Sequence, residues 1–344
     1  MSGPVRIGVL RLVDSAPIVV AERRGIFRTL GIDVRVQVEP SWSNLADKLS
    51  YGLLQAAVLL PPLAMAATLG LRGPKARLLV PLSISQGGNA IAMATDAAAA
   101  IEAAGGIRAW LQDRREPPRL AVVHAFSTHN LLLRYWLAAS GVDPDRDVET
   151  VVIPPETVVD ALAAGEVAGF CAGAPWGDVA ARNGAGRVLF GTSHLWPHHP
   201  EKCLAVGQGW ADANGPDLSL LLRGILQAQR ICDCAEEAEA VAALLAAPEA
   251  LGLPLEATRA ALAGGDGTEQ IRFHGGGAWM PARPHALWFL RQMQRWRWIG
   301  ADEDLPAIAE TLYRPDLAIR AALAEGMLPP PPLEPMPETE LCAP

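Results

Sequence analysis

Two strand-to-helix turns carry the residues best suited to bind a small anion. Ser41-Trp42-Ser43-Asn44 and Ser127-Thr128-His129-Asn130 each follow a strand-like run and open a helical pattern. Serine is a common N-cap residue, and the free backbone N–H groups and dipole of a helix N-terminus favour negative charge. The Trp42 indole N–H can only donate, and the His129 imidazole donates and becomes a cation if protonated. The turns therefore predict an anion site, although ordinary helix starts also carry these caps.

Two further donors lie in segments with the character of connections between lobes. Ser83–Ala90 is small and glycine-bearing and contains Asn89, whereas Leu195–Lys202 is rigid and polar and ends on Lys202. An amide and a compact ammonium would thus be placed at two crossovers. An asparagine and a lysine in such segments are also common as ordinary surface residues.

These crossovers predict a discontinuous domain organisation. If both join the same two lobes, residues 92–200 form a second lobe inserted into the first, which comprises residues 1–91 and 201–328. A cleft between two lobes is where a small ligand is expected. The donors of the helix starts and of the crossovers would then meet in that cleft.

The elements that must position these residues alternate between strand and helix. Runs such as Val5–Leu10 and Ala56–Leu60 are typical of buried strands, and Thr128–Ala139 has a helical pattern. This alternation predicts an α/β fold with mostly parallel sheets. Beyond about Leu218 the chain is mainly helical, and the proline-rich residues 329–344 are predicted to be an extended, poorly ordered tail.

The composition indicates a globular, mildly acidic protein. The chain has 344 residues, enough for about two domains, and 50% of them are apolar while only 19% are charged. This composition can bury a large core and excludes wholesale disorder. The formal net charge of −8 argues against a nucleic-acid-binding protein that works by general electrostatics.

The N-terminus and the cysteines predict a cytoplasmic protein. Met1 is followed within a few residues by a strand-like run that contains Arg6, not by a basic region, an apolar stretch and a cleavage site. The five scattered cysteines do not form a disulfide framework. The uncharged stretch Tyr51–Leu71 contains Pro61-Pro62, which favours a strand, a Pro-Pro turn and a buried helix over a membrane span.

No catalytic or metal-binding motif stands out in the sequence. A candidate metal cluster consists of His194, His198, His199 and Cys203. Two adjacent histidine rings between prolines rarely reach one ion. A thiol dyad of His129 and Cys171 lacks a third group to orient it. The sequence therefore predicts no catalytic residue, no metal and no cofactor.

The run Trp288–Trp298 combines aromatic and basic residues. Leu287, Leu290 and Met293, with Trp296 further on, are spaced as the apolar face of a helix. We therefore expect a helix packed on a core with an arginine face, with a partner-binding face as the alternative, and not a nucleic-acid surface.

Several segments together resemble the nitrate- and bicarbonate-binding branch of the periplasmic-binding-protein-like superfamily. They are Ser41–Asn44, Leu59–Gly70, His129–Ala139 with Gly141–Pro144, Phe170–Trp176 and Leu195–Lys202, spread over most of the chain. The resemblance implies the type II periplasmic-binding-protein-like fold, in which two α/β lobes are joined by two crossovers around a ligand cleft.

The resemblance also implies which residues hold the ligand. In the nitrate-binding members these are a tryptophan, a glutamine, a histidine and a lysine, and by position they fall on Trp42, Asn89, His129 and Lys202. Gln86 is a second candidate for the amide, and Ser43 and Thr128 are candidate secondary contacts. Asparagine has a shorter reach than glutamine. Bicarbonate-binding relatives have an acidic residue and calcium at the lysine position, so the lysine favours nitrate or nitrite.

Elementary chemistry points to the same ligand class. Nitrate has no proton, so a pocket that contains only donors suits it, whereas the O–H of bicarbonate needs an acceptor. We expect His129 and Lys202 to supply positive charge and Trp42 and Asn89 to fix the orientation of the anion. A donors-only pocket is therefore the main physical expectation from the sequence.

Without a leader peptide or lipid anchor, the resemblance implies a cytoplasmic nitrate/nitrite sensor of bacterial nitrate assimilation (NasS-type). Such a sensor holds an RNA-binding antiterminator, a NasT-type response regulator, inactive until nitrate or nitrite binds. It has no direct contact with nucleic acid or membrane. Three alternatives stay open: a nitrate or bicarbonate substrate-binding protein of an ABC transporter, a bicarbonate sensor, and an enzyme on the same fold similar to a thiamine-precursor synthase.

Overall fold

The computed structural model describes residues 3–112, 114–264 and 270–331, and ten strands in this part of the chain form two five-stranded sheets. The first sheet contains β1 Val5–Val9, β2 Val34–Val38, β3 Ala56–Leu59, β4 Leu78–Gln86 and β10 Pro200–Gly207, in the order β2-β1-β3-β10-β4. The second contains β5 Asn89–Ala94, β6 Arg119–Val122, β7 Glu149–Val152, β8 Gly169–Gly173 and β9 Gly186–Gly191, in the order β7-β6-β8-β5-β9. We call the first sheet with its helices lobe 1 and the second lobe 2.

Helices pack on the sheets of both lobes. The first nine are α1 Ala16–Arg23, α2 Ile26–Thr29, α3 Trp42–Ser50, α4 Pro61–Leu69, α5 Thr95–Ala104, α6 Ile107–Gln112, α7 Thr128–Ala139, α8 Val158–Ala163 and α9 Trp176–Arg182. The C-terminal part is mainly helical, as predicted, and contains α10 Gln208–Ala213, α11 Gly215–Cys232, α12 Ala238–Ala246, α13 Leu255–Ala263, α14 Arg283–Arg295, α15 Leu305–Leu312 and α16 Pro315–Ala324.

The two α/β lobes confirm the predicted fold class, and each sheet is mixed, with four strands in one direction and one strand against them. In lobe 1, β10 runs antiparallel to both β3 and β4, and in lobe 2, β5 runs antiparallel to both β8 and β9. The reason is the path of the chain. It leaves lobe 1 at the end of β4 and returns from the same side along β10, so the returning strand must run in the opposite direction.

The chain changes sheet at two places. The first is Gly87-Gly88, where both residues have positive φ (67° and 79°), a conformation that glycine adopts without strain. The second is the segment between β9 and β10, which contains a 3-10 turn, Thr192–His194. Residues 89–91, which the sequence assigned to lobe 1, pair in the lobe 2 sheet. The predicted lobe boundaries stay predictions, and most of the predicted tail, 332–344, lies outside the described residues.

The uncharged stretch Tyr51–Leu71 forms β3 and α4, as predicted, but without a Pro-Pro turn. Pro61 and Pro62 are instead the first two residues of α4. This position suits proline because the first N–H groups of a helix have no intrahelical acceptor. Among the helices that the structure describes, none has both the length and the apolarity needed to cross a membrane.

Helix α14 lies on the lobe 1 core, which confirms the prediction for the aromatic-basic run. Leu290 and Met293 are fully buried, and Trp296 and Trp298 at its end are half-buried. Arg134, on α7 of lobe 2, reaches these rings, with its guanidinium carbon 5.2 Å from the Trp296 ring centre and 5.8 Å from that of Trp298. A cation–π contact therefore joins the two lobes.

Candidate functional site

Trp42 and His129 are positioned by two capped helix starts. Trp42 is the first residue of α3, and the hydroxyl oxygen of Ser41 accepts a hydrogen bond from the Asn44 N–H at 3.1 Å. His129 is the second residue of α7, and Ser127 accepts from the Asn130 N–H at 3.0 Å. The predicted caps are confirmed. Because each helix follows a strand of a different sheet, the two side chains come from opposite lobes.

Asn89 and Lys202 lie at the strand ends next to the crossovers. Asn89 is the first residue of β5, and Lys202 lies near the start of β10. Neither is a surface residue: Asn89 is 1% exposed and Lys202 is completely buried, as is His129, while Trp42 is 2% exposed. The Lys202 ammonium nitrogen lies 5.6 Å from the Trp42 ring centre. The structure therefore brings side chains from both lobes to one buried place.

The carboxylate of Glu201 lies at the centre of this group. Its Oε1 accepts a hydrogen bond from Lys202 Nζ at 2.7 Å and lies 3.4 Å from His129 Nε2. Its Oε2 accepts from Asn89 Nδ2 at 2.5 Å and lies 3.5 Å from His199 Nδ1. Glu201 is completely buried, so all four neighbours act on it without screening by water.

Sequence reasoning missed Glu201 although it is next to Lys202. Neighbouring residues of a regular strand point to opposite faces, so only one of the two would be expected in the cleft. The pairing of β10 with β4 is irregular at this point, with register shifts between Pro200 and Lys202 and between Lys202 and Cys203. Such a bulge changes the direction of a side chain, which explains how both residues reach the same space.

A second carboxylate, that of Asp14, faces the same ammonium. Asp14 lies in a 3-10 turn, Val13–Ser15, at the end of β1, and it is 1% exposed. Its Oδ2 lies 3.3 Å from Lys202 Nζ, and its Oδ1 accepts a hydrogen bond from the Ser85 hydroxyl. Its position after the first strand is a usual one for a ligand-facing residue of an α/β sheet, and this was the signal in the sequence.

The two carboxylates overturn the expectation of a donors-only pocket. Burial alone would lower the pKa of Lys202, but Asp14 and Glu201 outweigh burial and raise it, so the ammonium stays charged. Burial raises the pKa of Glu201 to about 8, against the opposing effect of Lys202. Acceptors as well as donors therefore line the cleft.

His129 does not supply positive charge, contrary to the expectation from the sequence. Burial, followed by the nearby Lys202 and His199, holds its pKa well below the usual histidine value. Burial likewise lowers the pKa of His199 to about 3. At neutral pH both imidazoles are uncharged, and each has one N–H donor and one acceptor nitrogen. Lys202 is the only buried lysine or arginine among the described residues, so it carries the positive charge alone.

Several buried polar atoms here lack a hydrogen-bond partner within the described part of the chain. They are Trp42 Nε1, Asn89 Oδ1, Thr128 Oγ1 and both ring nitrogens of His129. Buried polar groups in proteins are normally hydrogen-bonded, because leaving one unpaired costs about 1–3 kcal/mol. A small polar ligand that touches both lobes would satisfy them.

Gly173 marks the point where such a ligand can approach. It is the last residue of β8 and pairs with Asn89. A Cβ atom on Gly173 would lie 3.4 Å from Asn89 Oδ1, 3.4 Å from Asp14 Oδ2 and 3.5 Å from His129 Nε2. Because the residue has no side chain, these three polar atoms converge on a position that a ligand atom can reach.

The candidate secondary contacts differ in their positions. Thr128 is completely buried at the start of α7, whereas Ser43 is half-buried on α3. Gln86 is buried at the end of β4, where its backbone pairs with that of Arg272.

The term cleft cluster is used below for the seven buried residues that meet in the cleft, which are Asp14, Trp42, Asn89, His129, His199, Glu201 and Lys202.

The candidate metal cluster of histidines and Cys203 is not assembled. His199 is buried in the cleft cluster, whereas His194 and His198 are exposed. Across residues 3–112, 114–264 and 270–331, no group of three or more His, Cys, Asp or Glu residues is arranged to hold a metal ion.

Curated relatives of this chain are anion-transport proteins of cyanobacteria. The nitrate/nitrite binding protein NrtA of Synechococcus elongatus is 30% identical over 94% of this chain and 78% of its own length. The nitrate import ATP-binding protein NrtC of Synechocystis is 31% identical over 90% of this chain, and the bicarbonate transport ATP-binding protein CmpC of S. elongatus is 30% identical over 94%. The chain spans only about half the length of these two ATP-binding proteins (48% and 50%).

A solved structure and a family model agree with these similarities. The crystal structure of the periplasmic nitrate-binding protein NrtA from Synechocystis PCC 6803 superimposes with a TM-score of 0.86 at 28% identity, covering 98% of this chain and 90% of that one. The model of the NMT1-like family matches residues 2–246, which include every residue of the cleft cluster. The chain therefore belongs to the NMT1-like family.

Proposed function

We propose that this protein binds nitrate or nitrite in the cleft between its lobes. The observation that carries the proposal is the buried Lys202 ammonium, next to which the Trp42 indole N–H of lobe 1 and the N–H of the neutral His129 ring of lobe 2 are donors without a hydrogen-bond partner among the described residues. Charge-assisted hydrogen bonds in a buried site are strong enough for selective binding of a small anion. The similarity to two NrtA proteins, which are named for nitrate binding, supports the same ligand class.

The biological role that best fits the similarities is that of a substrate-binding protein for an ABC importer. This was an alternative in the sequence analysis, and the NrtA and NrtC relatives support it over the sensor. The cytoplasmic location and the antiterminator partner stay predictions from the sequence. Co-purification of an RNA-binding partner that nitrate releases would favour the sensor. Nitrate-dependent stimulation of a membrane-embedded importer would favour the receptor.

Calorimetry with four anions tests the proposed ligand. Nitrate, nitrite, bicarbonate and sulfate are titrated into the protein, each with and without calcium. We expect saturable one-to-one binding of nitrate or nitrite that calcium does not change, because Lys202 already supplies the positive charge. Binding of bicarbonate that requires calcium and is tighter than that of nitrate would contradict the proposal. Tighter binding of sulfate would contradict it too.

We infer that the arrangement in the structure is the closed, ligand-holding state, because the cleft cluster is buried and Arg134 contacts Trp296 and Trp298 across the two lobes. A ligand that touches both lobes stabilises the closed state, and any other contact made only in that state adds to its apparent affinity. The Arg134 guanidinium also donates a hydrogen bond to Asp145 at 2.6 Å within lobe 2, which holds it in place.

We expect Arg134→Met to weaken nitrate binding about two- to fivefold without changing the site itself. The loss corresponds to a cation–π contribution of about 0.5–1 kcal/mol to closure. Calorimetry measures the affinity, and small-angle scattering measures whether the unliganded protein becomes more open. The control is Arg114→Met, because Arg114 lies 4.4 Å from the Trp110 ring within lobe 2. Equal effects of both variants would show that the contact between the lobes is not the cause.

A further inference from the structure

The charges of the cleft cluster would not favour an anion if both of its carboxyl groups were ionised. Asp14 and Glu201 would bring two negative charges if both were ionised, and the Lys202 ammonium brings one positive charge. All three are buried, and His129 and His199 are neutral. The sum would be −1 before a monovalent anion enters. Adding a second uncompensated negative charge to a buried site is strongly unfavourable.

Glu201 is the group in the best position to remove this excess. Of the two carboxyl groups, it is the one that contacts three of the predicted ligand-binding residues, namely Lys202, Asn89 and His129. Asp14 is held differently, because its Oδ1 accepts from Ser85 and its Oδ2 faces Lys202. A proton on Glu201 converts an acceptor into a donor and reduces the charge of the cluster to zero.

We propose that Glu201 is the proton-binding, specificity-determining residue of the cleft, and that the anion binds together with one proton on this carboxyl group. The inference deepens the proposed function and depends on it. The reaction balances as protein with ionised Glu201, plus a proton from solvent, plus nitrate, which together give the complex with neutral Glu201. The protonated carboxyl group of Glu201 has an O–H that can donate to nitrate. A pocket that contains a glutamate can therefore bind this anion.

The titratable groups that face Glu201 in the cleft cluster act on its proton in opposite directions. They are Lys202 on its own strand, Asp14 at the end of β1, His129 on α7 and His199 in the second crossover. Burial and Asp14 raise the pKa of Glu201, and Lys202 lowers it, with a result of about 8. A bound anion adds a further negative charge and raises this pKa again.

Because anion binding is coupled to proton binding at Glu201, nitrate affinity is expected to fall as the pH rises. Well below pH 8 the carboxyl group is already protonated, so nitrate affinity is constant and almost no proton is taken up. Above pH 8 the free protein must first acquire the proton, so we expect the affinity to fall by up to about tenfold per pH unit. Uptake then approaches one proton for each bound anion.

Calorimetry of the full chain in buffers with different ionisation enthalpies measures this uptake. We expect the nitrate heat to be independent of the buffer at pH 6.5 and to depend on it at pH 9, with a slope close to one proton. Intact binding at pH 9 with no dependence on the buffer would overturn the proton coupling and leave the proposed function in place. Failure of both nitrate and nitrite to bind at pH 6.5, where the carboxyl group is protonated, would instead refute the proposed function.

The variant Glu201→Gln tests the assignment to this residue. The amide cannot ionise or take up a proton at these pH values, so we expect a flat pH profile of nitrate affinity and no proton uptake, two readouts that do not depend on the absolute affinity. Glu325→Gln is the control, because Glu325 is a partly buried carboxylate paired with Arg223 in another part of lobe 1. Glu325→Gln should keep the wild-type pH profile of nitrate affinity and the wild-type proton uptake. Proton uptake that persists in Glu201→Gln would overturn the assignment. If Glu201→Gln does not fold, the wild-type buffer series decides the question.

Discussion

Replacing Lys202 with methionine abolishes nitrate binding, with an expected loss of at least about 100-fold in affinity, or roughly 3 kcal/mol. Lys202 is the only buried lysine or arginine that the structure describes, and the histidines beside it are neutral. Methionine keeps the length of the side chain and its apolar stem. The anion therefore loses its one cationic partner while the packing stays close to that of the wild type. Calorimetry with nitrate at pH 6.5 measures the loss.

The same substitution leaves two buried carboxylates without their cation. Removing one partner of a buried ion pair costs about 3–5 kcal/mol, so we also expect a lower thermal midpoint. The double variant Lys202→Met, Glu201→Gln separates the two effects, since it replaces one of the two buried carboxyl groups that lose their cation. It should recover much of the stability but none of the nitrate affinity. Wild-type affinity in the folded single variant would remove Lys202 from the binding site.

Replacing Gly173 with alanine blocks binding with little effect on folding. The added methyl group would lie within 3.5 Å of His129 Nε2, Asn89 Oδ1 and Asp14 Oδ2, so it would occupy space next to His129 that a bound anion and the water between it and the two acceptor oxygens need. These distances are ordinary van der Waals contacts, so the free protein accommodates the methyl group. A ligand that must share this space is overpacked by about 1–3 kcal/mol, which corresponds to a loss of roughly 5- to 150-fold in affinity.

The matched control is Gly209→Ala. A Cβ atom on Gly209, in α10, would meet nothing within 4 Å, so this variant should keep both its affinity and its stability. Thermal unfolding and nitrate calorimetry are measured on both variants. Unchanged nitrate affinity in a folded Gly173→Ala protein would show that the ligand lies elsewhere. Equal losses of affinity in both variants would show an effect that is not local to the cleft.

Much of the fold follows from local patterns in the sequence. The predicted helix Thr128–Ala139 has the bounds of α7, and both serine caps make the predicted hydrogen bonds. These features depend on short-range chemistry, namely apolar periodicity and side-chain acceptors at helix starts. The direction of β10 has no such local signal. It follows from where the chain leaves lobe 1 and where it must return, so the one reversed strand of this sheet was not predicted.

The residue types at the candidate site were likewise accessible from the sequence, but their electrostatic environment was not. The side chains of Trp42, Asn89, His129 and Lys202 are where helix caps and crossovers place them. The ionisation of His129 depends on complete burial beside Lys202, a contact between residues of different lobes. The position of Glu201 depends on an irregularity in β10 that turns two neighbouring side chains into one cleft.

The amino-acid order by itself thus determined the two-lobed α/β architecture and a set of hydrogen-bond donors that could face an anion. Only the tertiary structure decided the charge of that site, because charge in a buried cluster is set by distances between groups that are far apart along the chain. Asp14 and Glu201 meet Lys202 within lobe 1, and His129 reaches Glu201 from lobe 2. Burial then shifts the protonation of each group in a way that no local pattern encodes.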